Sequence, residues 1–452
     1  AAGVRGRWAG RVKPGPGVTP CGTVTRRRHP GEQLSMRRLP PAEIPGEAVT
    51  RGADPAPNPE PSGAADAPAH PPLSAVLRTT APLGAPRVAV WRDEWLAPSE
   101  TFIYHQIGAT HRWKPVPAGL RVIPGGLPLR PTRVLGDRIS ARIAHQIDAG
   151  LALRLFYDSV LRREPVQVVH AHFGPDAITV LPLARRLGLP LVVTFHGFDV
   201  TSAPGDDAES RRYVERLREV FDYATTLIAV SQFIADRLAE LDAPAHKIVV
   251  APIGIPVGLG PDGDHQRSGL TFVGRLVPKK GVADLIDALA AVPRELLDGQ
   301  PVRLIGYGPD EAVLRDRARR AGVAVEFLGR RDPAFIADTL ARSRLFCGPS
   351  RTAANGDCEG FGMVFLEAAL QSVPVVAYRH GGVPEAVAHG VTGLLVPEGD
   401  VHALTASITQ LLGDPDAAAA MGAAGRRRVL DEFDIEARTH TLEEIYDGAA
   451  GR

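Results

Sequence analysis

The chain has 452 residues, is 44% hydrophobic and carries a formal net charge of +1. That length suits two ordinary domains and a tail, and the balanced charge argues against whole-surface nucleic-acid binding. No apolar run approaches the roughly 18 residues of a membrane span, and the N-terminus lacks the apolar stretch of a secretory signal.

Residues 1–86 hold 16 of the 41 prolines, and residues 1–38 carry eight Arg and one Lys against a single acid, Glu32. Too little apolar surface is present to offset the entropy of ordering, so this tail is expected to be disordered. A basic arm could touch anionic lipid or nucleic acid. The preferred reading is a solvated extension, or sequence upstream of the true start, since the first methionine is Met36. Cys21, Cys347 and Cys358 show neither disulfide pairing nor ligand spacing, which points to a reducing cytoplasm.

From Arg87 short apolar runs alternate with helical patterns. The first series of strand candidates is 87–91, 166–170, 190–195, 226–230 and 247–251. The second is 270–274, 302–306, 324–328, 344–347, 374–378 and 393–396. Continuous apolar strands separated by helices predict parallel sheets covered on both faces. The expected architecture is α/β, with two doubly wound domains at 87–252 and 269–430. A Pro/Gly-rich linker joins them at 253–268, and a C-terminal helix in 431–452 crosses back to the first domain. Ligands of such sheets sit beyond the carboxyl ends of the strands, here in the cleft between domains.

In the first half, Pro98, Ser99 and Glu100 precede a helical pattern, and Ser99 suits an N-cap. Ile139, Ile143, Ile147 and Leu151 form a stripe in 130–164, read as a domain helix with a wet basic face or as a membrane-surface helix. His170 and His172 end one strand, and His196 and Asp199 follow another. Clustered histidines suggest zinc, but no third and fourth ligand follows at suitable spacing, so no metal is expected. The Asp-x-Asp at 262–264 falls in the linker rather than after a strand and is set aside.

The second half carries three strand-end motifs. In TFVGRLVPKKG (271–281), Gly274 turns the backbone and Arg275 and Lys280 emerge from the strand's carboxyl end. A planar fork beside a point charge suits a diphosphate. In LIGYGPDE (304–311), Gly306 and Gly308 make a tight turn, with Pro309 in the first turn of the next helix. In CEGFGMVFLEA (358–368), a helix is expected to start near Gly362, after Phe361. The amides of Gly362, Met363 and Val364 then lack intrahelical partners and form an anion site. Glu359 and Glu367 flank that start. A diphosphate on the amides would leave both carboxylates free to accept hydroxyl hydrogen bonds, so a nucleotide sugar fits better than free phosphate.

The Glu-x7-Glu spacing, the preceding GRLVPKKG and the later GGVPEAVAHGVTGLLVPEGD (381–400) together resemble the glycogen-synthase-like clan of retaining glycosyltransferases, family four. The SETFI string at 99–103 resembles its colanic-acid and exopolysaccharide branch. The resemblance implies a GT-B fold and metal-independent hexose transfer from a nucleoside-diphosphate sugar with retention. The acceptor would be a saccharide or lipid-linked saccharide, and the work cytoplasmic or at the inner membrane face. Glu359 would hold the donor's sugar hydroxyls, Glu367 the ribose diol, and Arg275 and Lys280 the diphosphate. His196 would face the reacting carbon, with Asp199 orienting it or its loop. Where the family commonly has a glycine-rich turn, this chain has Pro98–Glu100, which points Ser99 and Glu100 to the acceptor. No cofactor and no nucleic-acid partner are implied. The alternatives are a nucleotide-sugar epimerase of similar fold and a catalytically silent nucleotide-sugar-binding protein.

Overall fold

The computed structural model describes residues 81–452 except 83, 125, 130–132, 135–164, 206, 261–264, 298 and 301. The expectations for the basic arm with Cys21, for the 130–164 stripe and for the Asp-x-Asp therefore fall outside the described residues, Arg133 and Val134 apart.

Among the described residues the first half forms nine strands: β1 (Arg87–Trp91), β2 (Glu94–Trp95), β3 (Lys114–Gly119), β4 (Arg121–Val122), β5 (Arg133–Val134), β6 (Val168–His172), β7 (Leu191–Phe195), β8 (Thr226–Ala229) and β9 (Ile248–Val250). Seven of them make one sheet in the order β5-β3-β1-β6-β7-β8-β9, and β2 pairs with β4. Every ladder in the large sheet is parallel. The alternation of side chains along a strand explains its two buried faces. Val88 and Val90 pack with Ile103, Trp113 and Tyr446 on one side. Ala89 and Trp91 pack with Ile178, Leu181 and Val220 on the other.

The second half forms β10 (Leu270–Val273), β11 (Val302–Ile305), β12 (Val325–Gly329), β13 (Leu345–Gly348), β14 (Val375–Arg379) and β15 (Gly393–Pro397). Their order is β12-β11-β10-β13-β14-β15, again all parallel. Phe272, Leu304 and Tyr378 face the helices Val282–Ala290 and Val401–Gly413. Phe346, Val375 and Ala377 face the helix Met363–Leu370. This is the doubly wound pair of sheets that the apolar runs predict.

One strand was missed and two local expectations are corrected. The run at 114–119, KPVPAG, is a strand although Pro115 and Pro117 mask it. Lys114 N–H donates to Pro86 O at 2.7 Å, so the alternate prolines point away from β1, and the described pairing with β5 is at Ala118↔Arg133 and Gly119↔Val134. The strand expected at 166–170 lies at Val168–His172, because its register with β7 continues to His172↔Thr194. Both histidines thus belong to the ladder. Finally, Pro309 precedes the helix Glu311–Ala321, whose N-cap is Asp310.

All described residues fall within one unit, Asp66–Arg452, and the chain crosses between the sheets twice. The two crossings pair: Ile255 N–H donates to Phe433 O at 2.9 Å, and Ile435 N–H to Ile255 O at 3.1 Å. The helix Ile435–Ala449 then lies on the first sheet. There the Glu443 carboxylate accepts from the amides of His111, Arg112 and Trp113 at 2.7–2.9 Å. Among the described residues no helix is long and apolar enough to cross a membrane.

Candidate functional site

The carboxyl ends of both sheets face one cavity of about 600 Å³. The first half contributes Pro98, Ser99, Thr101 and Phe102, and the second Gly274, Arg275, Gly306, Tyr307, Met363 and Glu367. Strand ends converge because parallel strands all deliver their loops to the same edge.

Lys280 ends the short turn Pro278–Lys280 after β10, and its Nζ pairs with Glu359 Oε2. The Ser350 hydroxyl donates to the same oxygen at 3.2 Å. Burial alone would raise the Glu359 carboxyl, but Lys280, then Lys279 and Ser350, hold it down to about 2. The Glu359 carboxylate is thus neutralised by the same lysine that the sequence assigns to a diphosphate. Neighbouring contacts zip the two loops together. Lys279 pairs with Asp357 at 2.7 Å, and Arg351 N–H donates to Lys279 O at 2.7 Å.

Glu367 differs in kind. It lies in the helix Met363–Leu370, on the cavity wall, and has no hydrogen-bond or ion-pair partner among the described residues. Burial pushes its carboxyl up to about 7. Gly362 is the N-cap of that helix in a left-handed conformation, with φ of 91°. The Met363 and Val364 side chains pack on the core, and the Phe361 ring turns to Phe433 with centroids 5.6 Å apart. Phe361 therefore offers backbone and packing to the site rather than its ring.

Gly306 has φ of 147°, and a Cβ there would overlap the Gly274 carbonyl oxygen. The two glycine turns are thus packed on each other, Gly308 lying against Leu276. Close approach between loops accounts for these glycines, and it leaves the cavity floor as bare backbone beside Arg275.

On the facing sheet, His196 follows β7 and is enclosed by Phe102 and Phe173, with ring centroids 4.9 and 4.4 Å away. Its Nε2 lies 3.1 Å from His172 Nδ1. Burial, with Arg92 and His170 nearby, holds its pKa well below the usual value, so the ring is neutral. Asp199 is buried and accepts from the amides of Gly197, Gly174 and His196 at 2.9, 3.2 and 3.3 Å. Burial pushes its carboxyl up, against those amides, to about 6. Asp199 thus shapes the loop carrying His196. His170 is a structural residue between Tyr446 Oη (2.7 Å) and Thr194 Oγ1 (2.8 Å).

Ser99 lines the cavity but is not the N-cap of Thr101–Gly108; Glu100 occupies that position and makes no side-chain cap. The Glu100 carboxylate is instead held by Arg92, which also pairs with Asp176 and stacks 4.6 Å over Phe173. Sequence reasoning missed Arg92: a lone Arg after a strand carries no signal of its two buried carboxylate partners. Among the described residues no group of three or more His, Cys, Asp or Glu side chains is arranged to hold a metal ion. Cys358 is half-buried, with its thiol pushed up by burial, and Cys347 is buried in the second core.

The two halves touch at the site. A Cβ on Gly360 would overlap the His196 carbonyl oxygen, so Glu359 and His196 are brought together by a glycine contact across the cleft. The Ser231 hydroxyl donates to Gly360 O at 2.6 Å. Glu385 accepts from the amides of Gln232 and Phe233 at 2.7 and 3.0 Å, placing an acid at the N-terminus of the helix Gln232–Glu240. Gly360→Ala is therefore expected to wedge the cleft open. Small-angle scattering should then report a larger radius of gyration than wild type; an unchanged radius would mean that the contact is not a closure contact.

Comparison with known proteins bears on the fold and the family. Residues 264–428 match the family described as Glycosyl transferases group 1, and residues 110–259 match Glycosyltransferase Family 4. The chain is 36% identical over 296 residues to the GDP-mannose-dependent alpha-(1-6)-phosphatidylinositol monomannoside mannosyltransferase of Mycolicibacterium smegmatis, covering 61% of this chain and 75% of that protein. It is 31% identical over 266 residues to an amylovoran biosynthesis glycosyltransferase of Erwinia amylovora, covering 57% of this chain and 64% of that one. The crystal structure of Anabaena Alr3699/HepE in complex with UDP superposes with a TM-score of 0.66 at 21% identity, covering 80% of this chain and all of that one. The parallel sheets are those of the GT-B fold, and the chain belongs to the group 1, family 4 glycosyltransferases.

Proposed function

We propose that this glycosyltransferase moves a hexose from a nucleoside-diphosphate sugar to a saccharide or lipid-linked saccharide acceptor, with retention and without a metal ion. The observation that carries the proposal is the pairing of Lys280 with Glu359, the lysine lying against Gly274 of the cavity wall, beside a cavity lined by Arg275 and by Glu367, which has no partner among the described residues. A donor diphosphate is a stronger partner for Lys280 than Glu359 is, because it carries more charge. On binding, Lys280 and Arg275 would grip the diphosphate with the amides at the start of the 363–370 helix. Glu359, released, would accept hydrogen bonds from the sugar hydroxyls, and Glu367 from the ribose diol.

In this reading the bond from the anomeric carbon to the diphosphate breaks, and the fixed cations stabilise the departing charge. The acceptor oxygen bonds the anomeric carbon on the face the diphosphate leaves, and its proton passes to a phosphate oxygen. Neutral His196 would sit against the sugar from the other half, on a loop set by Asp199. Ser99, on the acceptor-side wall, would contact the acceptor, while Glu100 would act through Arg92.

The test is binding and slow hydrolysis of a donor panel with and without EDTA. GDP-mannose leads it, because the 36%-identical mannosyltransferase is described as dependent on that donor. UDP-glucose, UDP-galactose and UDP-N-acetylglucosamine complete it. One donor cleaved equally in EDTA, with the anomeric configuration kept on transfer, is the expected result. Cleavage abolished by EDTA, or inversion, would overturn the metal-free or retaining part respectively.

A further inference from the structure

The backbone of Glu359 is held as well as its side chain, and through a residue just outside the motifs used above, His380. His380 follows β14 and its side chain is only 2% exposed. The Glu359 N–H donates to His380 Nε2 at 3.1 Å, and His380 Nδ1 lies 2.8 Å from Glu398 Oε2. A backbone amide can only donate, so Nε2 must be the bare nitrogen and Nδ1 must carry the proton. The tautomer is thereby fixed: the amide donates to the ring, and the ring donates to Glu398.

Glu398 in turn accepts from the Thr352 amide at 2.7 Å and the Thr352 hydroxyl at 3.3 Å. Thr352 belongs to the loop that leads from β13 into Glu359, two residues after Ser350, which contacts the Glu359 carboxylate. The Glu359 carbonyl accepts from Gly382 N–H at 2.9 Å. One buried imidazole therefore ties the end of β14, the end of β15 and the β13 loop to a single carboxylate residue.

We propose that His380 and Glu398 are positioning residues for Glu359, a chain of neutral imidazole and carboxylate that fixes where the sugar-side carboxylate sits. The inference rests on the role proposed for Glu359. Removing the imidazole would leave the Glu359 amide without its acceptor and the β13 loop without its tie. A carboxylate displaced by about an ångström costs up to about 100-fold in rate, whereas donor binding through the diphosphate contacts would change little.

The experiment uses the full chain and four variants, each checked for wild-type thermal unfolding behaviour. His380→Gln can place an amide oxygen where Nε2 accepts, keeping the bond to Glu359. His380→Asn is too short for that and can reach only Glu398. The expected result is a roughly 10- to 100-fold fall in kcat for His380→Asn and His380→Ala, a donor KM within about threefold of wild type, and recovery of most of the kcat in His380→Gln. Equal turnover in the Gln and Asn variants, or near-native turnover in the Ala variant, overturns the proposal. Glu359→Gln is the fourth variant. If it alone loses turnover, the carboxylate's role stands and the positioning chain fails; if it keeps native turnover, the role of Glu359 fails and the inference with it.

Discussion

Lys280→Met and Glu359→Gln are each expected to lower turnover by about 100- to 1,000-fold, the usual cost of deleting one preorganised group that meets transition-state charge. The two variants should differ in stability, and the difference follows from their ion pair. Glu359 titrates near 2 in the folded protein, below its ordinary value. A depressed carboxylate contributes stability that is present above its unfolded pKa and is lost as pH falls through the folded one. The span corresponds to about 3 kcal/mol at neutral pH, a figure to be read as an upper bound because both side chains keep some water contact. Lys280→Met strips the pair of its cation and leaves a buried carboxylate, so it should lose much of that stability at pH 7 and little near pH 2. Glu359→Gln leaves a flexible lysine that can turn to water and should lose less. The double variant removes both charges and should regain stability over Lys280→Met while remaining inactive. That pattern separates holding the loop together from handling the substrate. Turnover within about threefold of wild type in either single variant would remove that residue from the chemistry.

The sequence carried the fold because a strand buried on both faces must be a continuous apolar run, and VVHAH, LVVTF, LTFV and VVAYR are such runs. It failed at KPVPAG, where proline chemistry hides a strand that pairs with β1 along its first five residues. Where chemistry sits at a strand-to-helix turn the sequence nominates candidates, and Arg275, Lys280, Glu359, Glu367 and His196 were proposed that way. Pairings between distant residues were not legible. Lys280 and Glu359 lie 79 positions apart, and nothing local says that each is the other's resting partner. The same holds for Arg92 with Asp176, for Glu385 on the Gln232 amide and for His380 beneath Glu359. Ser99 shows the opposite error. Its residue type suits a cap, but the chain starts the helix one residue later because Arg92 draws Glu100 inward.

Glu367→Gln is expected to change the pH dependence of the protein more than its activity at any one pH. The Glu367 carboxyl is raised to about 7 by burial. For an acid raised in the folded state, the native protein binds the extra proton between the unfolded and folded pKa values. Stability therefore falls as pH rises from about 4.5 to about 7, by up to about 3 kcal/mol, and stays at its lower level above that range. Asp176 and Asp199, also raised, push in the same direction, so the informative quantity is wild type minus Glu367→Gln. That difference should show the variant gaining relative stability as pH rises through this window and then levelling. Donor affinity should run the other way. A ribose diol donates to the ionised carboxylate, and hydrogen bonds to a charged acceptor are worth about 1.5–3 kcal/mol. Wild-type donor affinity should therefore rise from pH 6 to pH 8, while in Glu367→Gln it should be weaker by about tenfold at pH 8 and nearly flat. The opposed slopes have one cause: the buried charge that costs stability is the charge that the diol uses. A wild-type affinity independent of pH across that range, with the variant unchanged from it, would place the ribose elsewhere and leave Glu367 as a helix glutamate facing a cavity it does not serve.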